Sequence, residues 1–338
     1  MTFRELLGFS DNMLGYDATK NLLKHVNGTI TSSKNGKVYS TGILEIVSLS
    51  ELREQASKIE TCGTNKLSHS PVESKDVKEY ICSPDYSGAM FQVASQFNLL
   101  EMALPELTPD DGIDIYWKDP TQGPKCSQAA IGATLYRNYF VQMANGDIGQ
   151  TADNQINCLE DVLDWIEAKK SFNWQFQNGY IFIDSEGFAA INQVLKNLSE
   201  VERDQLRGML QIGIHWNVQA NDECNPLEQQ ISQIFCSAFP VSYNQDCNEV
   251  SLEETSLLSK LILEATQEAT IISAILNKQR FGENQLVLTK PGGGAFGNSH
   301  IWIRDALGRA LKMYKNHDLD ILLQHFSEMD PCYNSLEV

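Results

Sequence analysis

The sequence is poor in positive charge and lacks long apolar runs, and each shortage excludes a class of protein. Lys and Arg together number 26 against 44 Asp and Glu, which gives a formal net charge of −18 at pH 7. A chain so acidic repels phosphate backbones and anionic lipid, so we expect neither nucleic-acid binding nor membrane binding. No run approaches the roughly 18 consecutive apolar residues that cross a bilayer, and the first residues contain no apolar segment of signal-peptide length.

Metal-ligand spacing is also missing. The eight cysteines include no CxxC pair, and the six histidines include no HExxH motif. A zinc cage, a dense disulfide scaffold and a histidine metal centre are therefore not expected, and we predict no metal and no cofactor. Cysteines scattered through apolar runs are typical of buried reduced thiols. We expect a reducing, cytoplasmic compartment.

Strand-like and helix-like segments alternate from about residue 87 onwards. This alternation predicts an α/β fold in which helices cover both faces of a sheet. We expect residues 1–80 to form a helical N-terminal extension and residues 81–330 to form one domain with an inserted helical segment at about 155–207. Within that domain we expect strands at 89–95, 135–143, 179–183, 210–218, 234–241 and 285–289, and a short helical turn at 97–104. The longest expected helix spans 252–279.

The strongest local signal is a triple glycine between a strand and a helix. The apolar run Leu286–Leu288 leads into Gly292-Gly293-Gly294 and then towards a helix start. Glycines allow positive φ and a close approach of the backbone to a ligand, and N–H groups near a helix start favour anions. The pattern predicts a phosphate-binding loop, and Phe296 could stack on a ring or cover it. A flexible turn is the alternative.

A second strand ends in small and amide residues, at Ser95, Gln96 and Asn98. Open α/β sheets bind ligands at the carboxyl ends of their strands, so these side chains are candidates for a sugar or an amide. Glu101 follows closely and could act as a general base or orient a water molecule. A charge placed at a helix start is the alternative role for Glu101.

Three further residues are candidates for chemistry. Cys126 lies near a helix start and could be a nucleophile, although a packed thiol is the commoner role. Arg137 could pair with a phosphate or a carboxylate, or form a structural ion pair. His215 leaves an apolar strand beside Trp216, where a structural histidine is common.

The motifs FQVASQFNLLEM, TQGPKCSQAAIGATLYRNYF, GQTADNQINCLEDV, GIHWNV, SQIFCSAFPVSY and GGGAFGN, over roughly residues 87–315, resemble a macrodomain-like family. That family includes bacterial effector ADP-ribosylhydrolases that remove ADP-ribose from arginine, including that of modified ubiquitin. The resemblance implies a macrodomain-like mixed sheet and, for an effector, the host cytosol. The segment Leu99–Met102 stands where most macrodomains have glycines. No QEE sequence follows the triple glycine, so cleavage of poly(ADP-ribose) is not expected.

The resemblance also implies a set of ligand contacts. The ribose end would be lined by Gln92, Ser95, Gln96 and Asn98. Phe97, Arg137 and His215 are further ligand-binding candidates. The diphosphate and distal ribose would be held by Gly292, Gly293, Gly294, Phe296, Gly297 and Asn298. The catalytic carboxylate does not follow from the resemblance. Cleavage of a glycosidic bond needs an oriented water and a nearby carboxylate, for which Glu101 is the first candidate and Asp222 the second.

We therefore predict a hydrolase that removes ADP-ribose from a mono-ADP-ribosylated protein at arginine, with ubiquitin as a possible partner. Two alternatives stay open from the sequence. One is a reader module that binds ADP-ribose without cleaving it. The other is a cysteine hydrolase with Cys126 as nucleophile and His215 as base.

Overall fold

The structure is a computed structural model and describes residues 1–71, 76–220, 229–325 and 329–338. Its α-helices are α1 (Phe3–Leu7), α2 (Tyr16–Leu22), α3 (Leu49–Ala56), α4 (Val77–Ile81), α5 (Gln122–Ala129), α6 (Ile131–Leu135), α7 (Glu160–Lys169), α8 (Ser185–Asn197), α9 (Glu200–Met209), α10 (Val241–Asn248), α11 (Leu252–Phe281) and α12 (His300–Met313). Its strands are β1 (Leu23–Val26), β2 (Thr29–Ser32), β3 (Val38–Ser40), β4 (Ile43–Ser48), β5 (Lys66–His69), β6 (Met90–Ala94), β7 (Gln175–Gln177), β8 (Tyr180–Phe182), β9 (Gln211–Gln219), β10 (Gln230–Cys236), β11 (Gln285–Leu288) and β12 (Asp320–Leu323).

A seven-stranded mixed sheet forms the centre of the molecule, in the order β4-β9-β10-β6-β11-β12-β5. The five strands from β10 to β5 are all parallel to one another. Strand β9 is antiparallel to both β10 and β4. The carboxyl ends of the five parallel strands therefore meet at one edge of the sheet.

Helices cover both faces of this sheet, as predicted. Alternate residues of a strand point to opposite faces, and β10 shows this directly. Cys236 lies 3.3 Å from the hydroxyl of Thr270 in α11, whereas Gln233 donates to the carbonyl of Cys126 in α5. The mixed α/β class is confirmed.

The long helix α11 lies between β10 and β11 in the chain and is capped at both ends. Ser251 and Glu254 form a capping box at its start, and Gly282 ends it with a φ of +84°. Such caps satisfy the N–H groups and carbonyls that have no partner inside the helix. The helix spans 252–281, close to the predicted 252–279.

Residues 1–80, expected to be a helical extension, contain helices α1, α2 and α3 and the start of α4, but they also contain five strands. Strands β1, β2 and β3 form a small antiparallel sheet, and β4 and β5 are the two edges of the central sheet. Strand β5 alternates between exposed and half-buried residues and carries little apolar sequence, so its sequence does not distinguish it from a loop. The aromatic and aliphatic residues of α1, β2 and β3 form a second apolar core with residues of the segment 100–139.

The strand expected at 135–143 is also wrong. Residues 131–135 are α-helical, and Tyr136–Phe140 continue as one turn of π-helix. The aromatic residues raised the apparent strand propensity, but tertiary packing decides here: Tyr139 and Arg137 are fully buried. The short helical turn expected at 97–104 is replaced by a non-helical turn in which Leu99 has a φ of +64°.

The segment expected as a helical insertion at 155–207 contains α7, α8 and α9, and also the hairpin β7–β8.

Within the described part of the chain, no helix is long and apolar enough to cross a membrane.

Candidate functional site

A cavity of about 500 Å³ lies at the edge where the parallel strands end. It is lined by the residues that follow β6, β10, β11 and β12, by the start of α5, and by side chains from β8 and α10: Ala94, Ser95, Gln96, Glu101, Met102, Ala103, Asp119, Pro120, Thr121, Gln122, Gly123, Pro124, Tyr180, Cys236, Ala238, Tyr243, Thr289, Lys290, Pro291, Gly292, Gly293, Gly294, Ala295, Phe296, His300 and Gln324. The volume is within the range of small-molecule sites, roughly 300–1,000 Å³.

The glycine-rich loop after β11 forms one wall of this cavity. Its ends are closed by backbone hydrogen bonds from Gly293 to Lys290 and from Asn298 to Gly292. Gly292 has a φ of +83°, which favours glycine there. The N–H groups of Gly294, Ala295 and Phe296 donate to no acceptor in the described part of the chain. This loop therefore offers main-chain donors to a ligand.

Glu101 reaches the same cavity from the turn that follows β6. The turn is held by its own side chains: the Asn98 carboxamide oxygen accepts from the N–H of Leu100 at 3.0 Å. The Gln96 amide bonds both main-chain groups of Met102, at 2.9 and 3.1 Å. The main-chain N–H of Glu101 donates to the hydroxyl of Tyr116 at 3.0 Å. These bonds fix the main chain on both sides of Glu101.

The Glu101 carboxyl group is buried and lacks a complete set of partners. Its side chain is 6% exposed, and its Oε1 atom has no hydrogen-bond partner among the described residues. Burial raises the pKa of Glu101 well above its usual value; the positive charge of Arg137 opposes this shift, and the negative charge of Asp119 adds to it. A carboxyl group with a raised pKa in a cavity is a candidate acid–base group.

The start of α5 packs directly against this carboxyl group. Gln122 links α5 to the sheet, because its amide oxygen accepts from the N–H of Ala94 at 2.9 Å. Gly123, in the next position, faces the Glu101 carboxyl so closely that a Cβ atom there would overlap it. The absence of a side chain at Gly123 therefore makes room for Glu101.

Three aromatic rings form another part of the cavity wall. The rings of Tyr180, Tyr243 and Phe296 lie with centroids 5.0 to 5.8 Å apart. They come from β8, α10 and the glycine-rich loop. Such a cluster offers an apolar surface on which a planar or sugar ring can pack.

Several residues predicted as ligand contacts are buried behind the cavity. The Gln92 amide bonds Gln267 and Thr270 of α11. The Asn298 amide donates to the carbonyl of Phe239 at 2.8 Å. Seven predicted residues line the cavity and seven others do not. The first group is Ser95, Gln96, Glu101, Gly292, Gly293, Gly294 and Phe296, and the second is Gln92, Phe97, Asn98, Arg137, His215, Gly297 and Asn298.

Arg137 holds the turn that carries Glu101. Its guanidinium donates to the carbonyl of Leu99 at 2.9 Å, lies 3.3 Å from His215 Nδ1, and packs 3.9 Å above the ring centroid of Phe235. Burial lowers the pKa of Arg137 to about 10, so it keeps its charge at neutral pH. Burial, together with that charge, holds the pKa of His215 well below its usual value. Both residues have a positioning role in the structure.

The cysteine alternative gains no support from this arrangement. Cys126 is fully buried, and burial raises the pKa of its thiol well above the usual value. Its sulfur accepts a hydrogen bond from Gln122 at 3.4 Å, whereas His215 contacts Arg137. A thiolate nucleophile is therefore disfavoured at this position.

The second predicted carboxylate, Asp222, lies outside the described residues. The structure adds cavity residues that the sequence reasoning missed, among them Asp119, Tyr180, Tyr243 and Lys290. Two of these had a local signal, because Asp119 immediately precedes the Pro120–Pro124 segment and Lys290 immediately precedes Pro291 and the glycines. The two tyrosines come from separate elements that only the fold brings together.

No family model matches the chain, and no curated protein matches it significantly. Among solved structures, it is similar to poly(ADP-ribose) glycohydrolase from Thermomonospora curvata, with 10% identity, 91% of each chain covered and a TM-score of 0.45. It is also similar to poly(ADP-ribose) glycohydrolase from Deinococcus radiodurans in complex with ADP-ribose. That structure has 10% identity, covers 87% of this chain and 91% of its own, and has a TM-score of 0.46. Identities this low, with TM-scores below 0.5, transfer neither a site nor an activity to this chain.

Proposed function

We propose that this protein is an ADP-ribosylhydrolase that cleaves the N-glycosidic bond between ADP-ribose and an arginine side chain of a modified protein. The observation that carries the proposal is the position of Glu101. Its buried, incompletely bonded carboxyl group lines the same cavity as the donor-rich glycine loop. A ligand with both a diphosphate and a glycosidic carbon can engage both features at once.

The glycine loop suits the diphosphate. The N–H groups of Gly294, Ala295 and Phe296 have no acceptor among the described residues, and main-chain donors of this kind bind phosphate oxygens well. The aromatic surface of Tyr180, Tyr243 and Phe296 gives the sugar rings an apolar wall. Binding energy from these parts of the ligand would place the reacting carbon near Glu101.

Glu101 supplies the acid–base chemistry. Water attacks the anomeric carbon, and Glu101 in its ionised form accepts the proton of that water. The carbon–nitrogen bond breaks with its electron pair moving to the guanidine nitrogen, and the proton then passes to the released guanidine. The reacting carbon develops oxocarbenium character, which a nearby negative charge stabilises. Asp119, which lines the same cavity, provides that charge.

Arginine is favoured as the linked residue because the site and the chain are acidic. Glu101 and Asp119 are both carboxylic acids at the cavity, and the chain as a whole has a formal net charge of −18. A modified guanidinium and a basic protein surface are complementary to such a field. ADP-ribosylated ubiquitin is the first protein substrate to test.

To test the proposal, the protein is incubated with an ADP-ribosyl-arginine peptide and the release of ADP-ribose is measured. We expect release by the wild type and no release from a serine-linked or glutamate-linked peptide. If the wild type binds ADP-ribose in calorimetry but releases none from any peptide, the protein is a reader and the hydrolase proposal is wrong.

A further inference from the structure

Lys290 is a cavity residue that none of the chemistry above uses. It lies two residues after the end of β11, precedes the glycine-rich loop, and is half-buried in the cavity wall. No carboxylate oxygen of the described residues lies within 4.0 Å of its ammonium group. Its nearest polar partner is instead a histidine nitrogen, His325 Nδ1, at 3.1 Å.

Lys290 is the first of three side chains that contact one another in series, and the three come from the ends of three adjacent strands. His325 follows β12, and His69 ends β5. The His325 Nε2 atom lies 3.0 Å from His69 Nδ1, and the two rings are stacked with centroids 5.3 Å apart. This series of side chains runs from the cavity to half-buried His69.

The donor and acceptor of each hydrogen bond in this series follow from the chemistry of the groups. An ammonium group can only donate, so His325 Nδ1 must accept from Lys290. The ring proton of His325 is then on Nε2 and is donated to His69. Burial, together with the charge of Lys290 and with His69, lowers the pKa of His325 to about 4, so His325 is neutral at physiological pH. The histidine orients Lys290 without neutralising its charge.

We propose that Lys290 is the cation that pairs with a phosphate group of the bound ligand, held in place by His325 and His69 beside the free N–H groups of the glycine loop. This inference rests on the proposed function, because it takes ADP-ribose as the ligand. Lys290 would supply the ion pair with the diphosphate, in a cavity whose other charged groups are carboxylates. An acidic protein needs such a local cation to bind a dianion.

The ligand affinity should therefore fall as pH rises. Burial lowers the pKa of Lys290 from its usual value, while the charges of Asp330 and Cys332 oppose that shift. Three other titratable groups face the ammonium. His325 is bonded to it directly, the ring centroid of Tyr333 lies 5.6 Å away, and the charge of Lys290 acts with burial to lower the pKa of His69. Because Lys290 binds as the protonated form, binding is strongest below its pKa and weakens as pH rises through it.

The test is calorimetry with ADP-ribose, ADP and adenosine on the wild type, Lys290→Met and Lys290→Arg. Lys58→Met serves as the matched control, because Lys58 is an exposed lysine in a surface pair with Glu54. We expect Lys290→Met to weaken ADP and ADP-ribose at least about tenfold, to leave adenosine unchanged, and to flatten the salt dependence. Lys290→Arg should recover part of the affinity, and Lys58→Met should match the wild type.

Equal binding of ADP by Lys290→Met and the wild type would overturn the inference while leaving the proposed hydrolysis untouched. A wild type that binds ADP through Lys290 but releases no ADP-ribose from arginine would overturn the proposed hydrolysis alone. The pH dependence of ADP binding by the wild type keeps the test decisive if the Lys290→Met variant does not fold. Affinity that is constant from pH 6 to pH 10 contradicts the role of Lys290.

Discussion

The Glu101 carboxyl group occupies the space that a side chain at residue 123 would fill, because residue 123 is a glycine at the start of α5. A Cβ atom on Gly123 would overlap both carboxyl oxygens and the carboxyl carbon of Glu101. The two residues lie on separate segments, the turn after β6 and the first turn of α5. The geometry of the candidate catalytic group therefore depends on a residue that has no functional group of its own.

Substitution of Gly123 by alanine should displace Glu101 with little loss of stability. The displaced carboxyl can rotate into the adjoining cavity, so the free energy of unfolding should fall by less than the about 1–3 kcal/mol typical of an overpacked core. We expect hydrolysis of ADP-ribosyl-arginine to fall about 10- to 100-fold, measured as kcat, because small misplacements of a catalytic group are costly.

Gly308→Ala is the matched control for this substitution. A Cβ atom at Gly308 in α12 would make only an ordinary contact with Leu336. It should leave activity unchanged and slightly stabilise the helix. Full activity in Gly123→Ala would show that the contact with Glu101 does not matter for the reaction.

The pH profile of kcat should have an acid limb above the usual range of a glutamate. Burial raises the pKa of Glu101, and Asp119 raises it further. In the proposed reaction Glu101 acts in its ionised form, so activity should rise as pH rises through that pKa. Asp119→Asn removes the like charge, so the acid limb should move to lower pH and kcat should fall. Asp164→Asn, on the exposed face of α7, should not move the limb. A limb that moves to higher pH in Asp119→Asn is incompatible with this explanation.

Replacement of Glu101 by glutamine should stabilise the protein, and more so at high pH. A carboxyl whose pKa is raised by folding contributes stability at low pH, and that contribution is lost as pH rises through the folded-state pKa. Glutamine does not ionise, so the difference in Tm between Glu101→Gln and the wild type should grow between pH 5 and pH 8. Glu186→Gln, on the exposed side of α8, should show no such trend. A difference that shrinks with rising pH would have the wrong sign.

Gln96 should act on the reaction by holding the turn. Its amide bonds both main-chain groups of Met102, next to Glu101. Gln96→Ala leaves these buried groups without that partner, and we expect a loss of about 1–3 kcal/mol in the free energy of unfolding. The kcat should fall about tenfold, with a smaller change in the affinity for ADP. Gln193→Ala, on the exposed side of α8, is the control. If Gln96→Ala instead weakens ADP binding and leaves kcat unchanged, Gln96 is a ligand contact.

Local patterns in the sequence predicted the elements that carry the site. The buried strand before Ser95, the strand before the triple glycine, and α11 all lie within a few residues of their predicted bounds. Their signals are apolar runs and glycines, which act over short stretches of chain.

Long-range pairing explains what the sequence did not reveal. Strand β5 is polar and becomes a strand only because β12 pairs with it, with His69 opposite Leu323. The same pairing brings His69 to His325, and the next strand brings Lys290 to both. Arg137 was a candidate ligand contact because no local sequence pattern shows that an arginine in a π-helical turn is buried. The contact between Gly123 and Glu101 likewise depends on how α5 docks on the turn.

Hydrolysis by Glu101 is tested most directly by the release of ADP-ribose from an ADP-ribosyl-arginine peptide by the wild type and by Glu101→Gln. Glutamine keeps the shape of the side chain but cannot accept the proton of water, so we expect kcat to fall about 10²–10⁴-fold while the affinity for ADP-ribose is retained. Turnover by Glu101→Gln at the wild-type rate would contradict it.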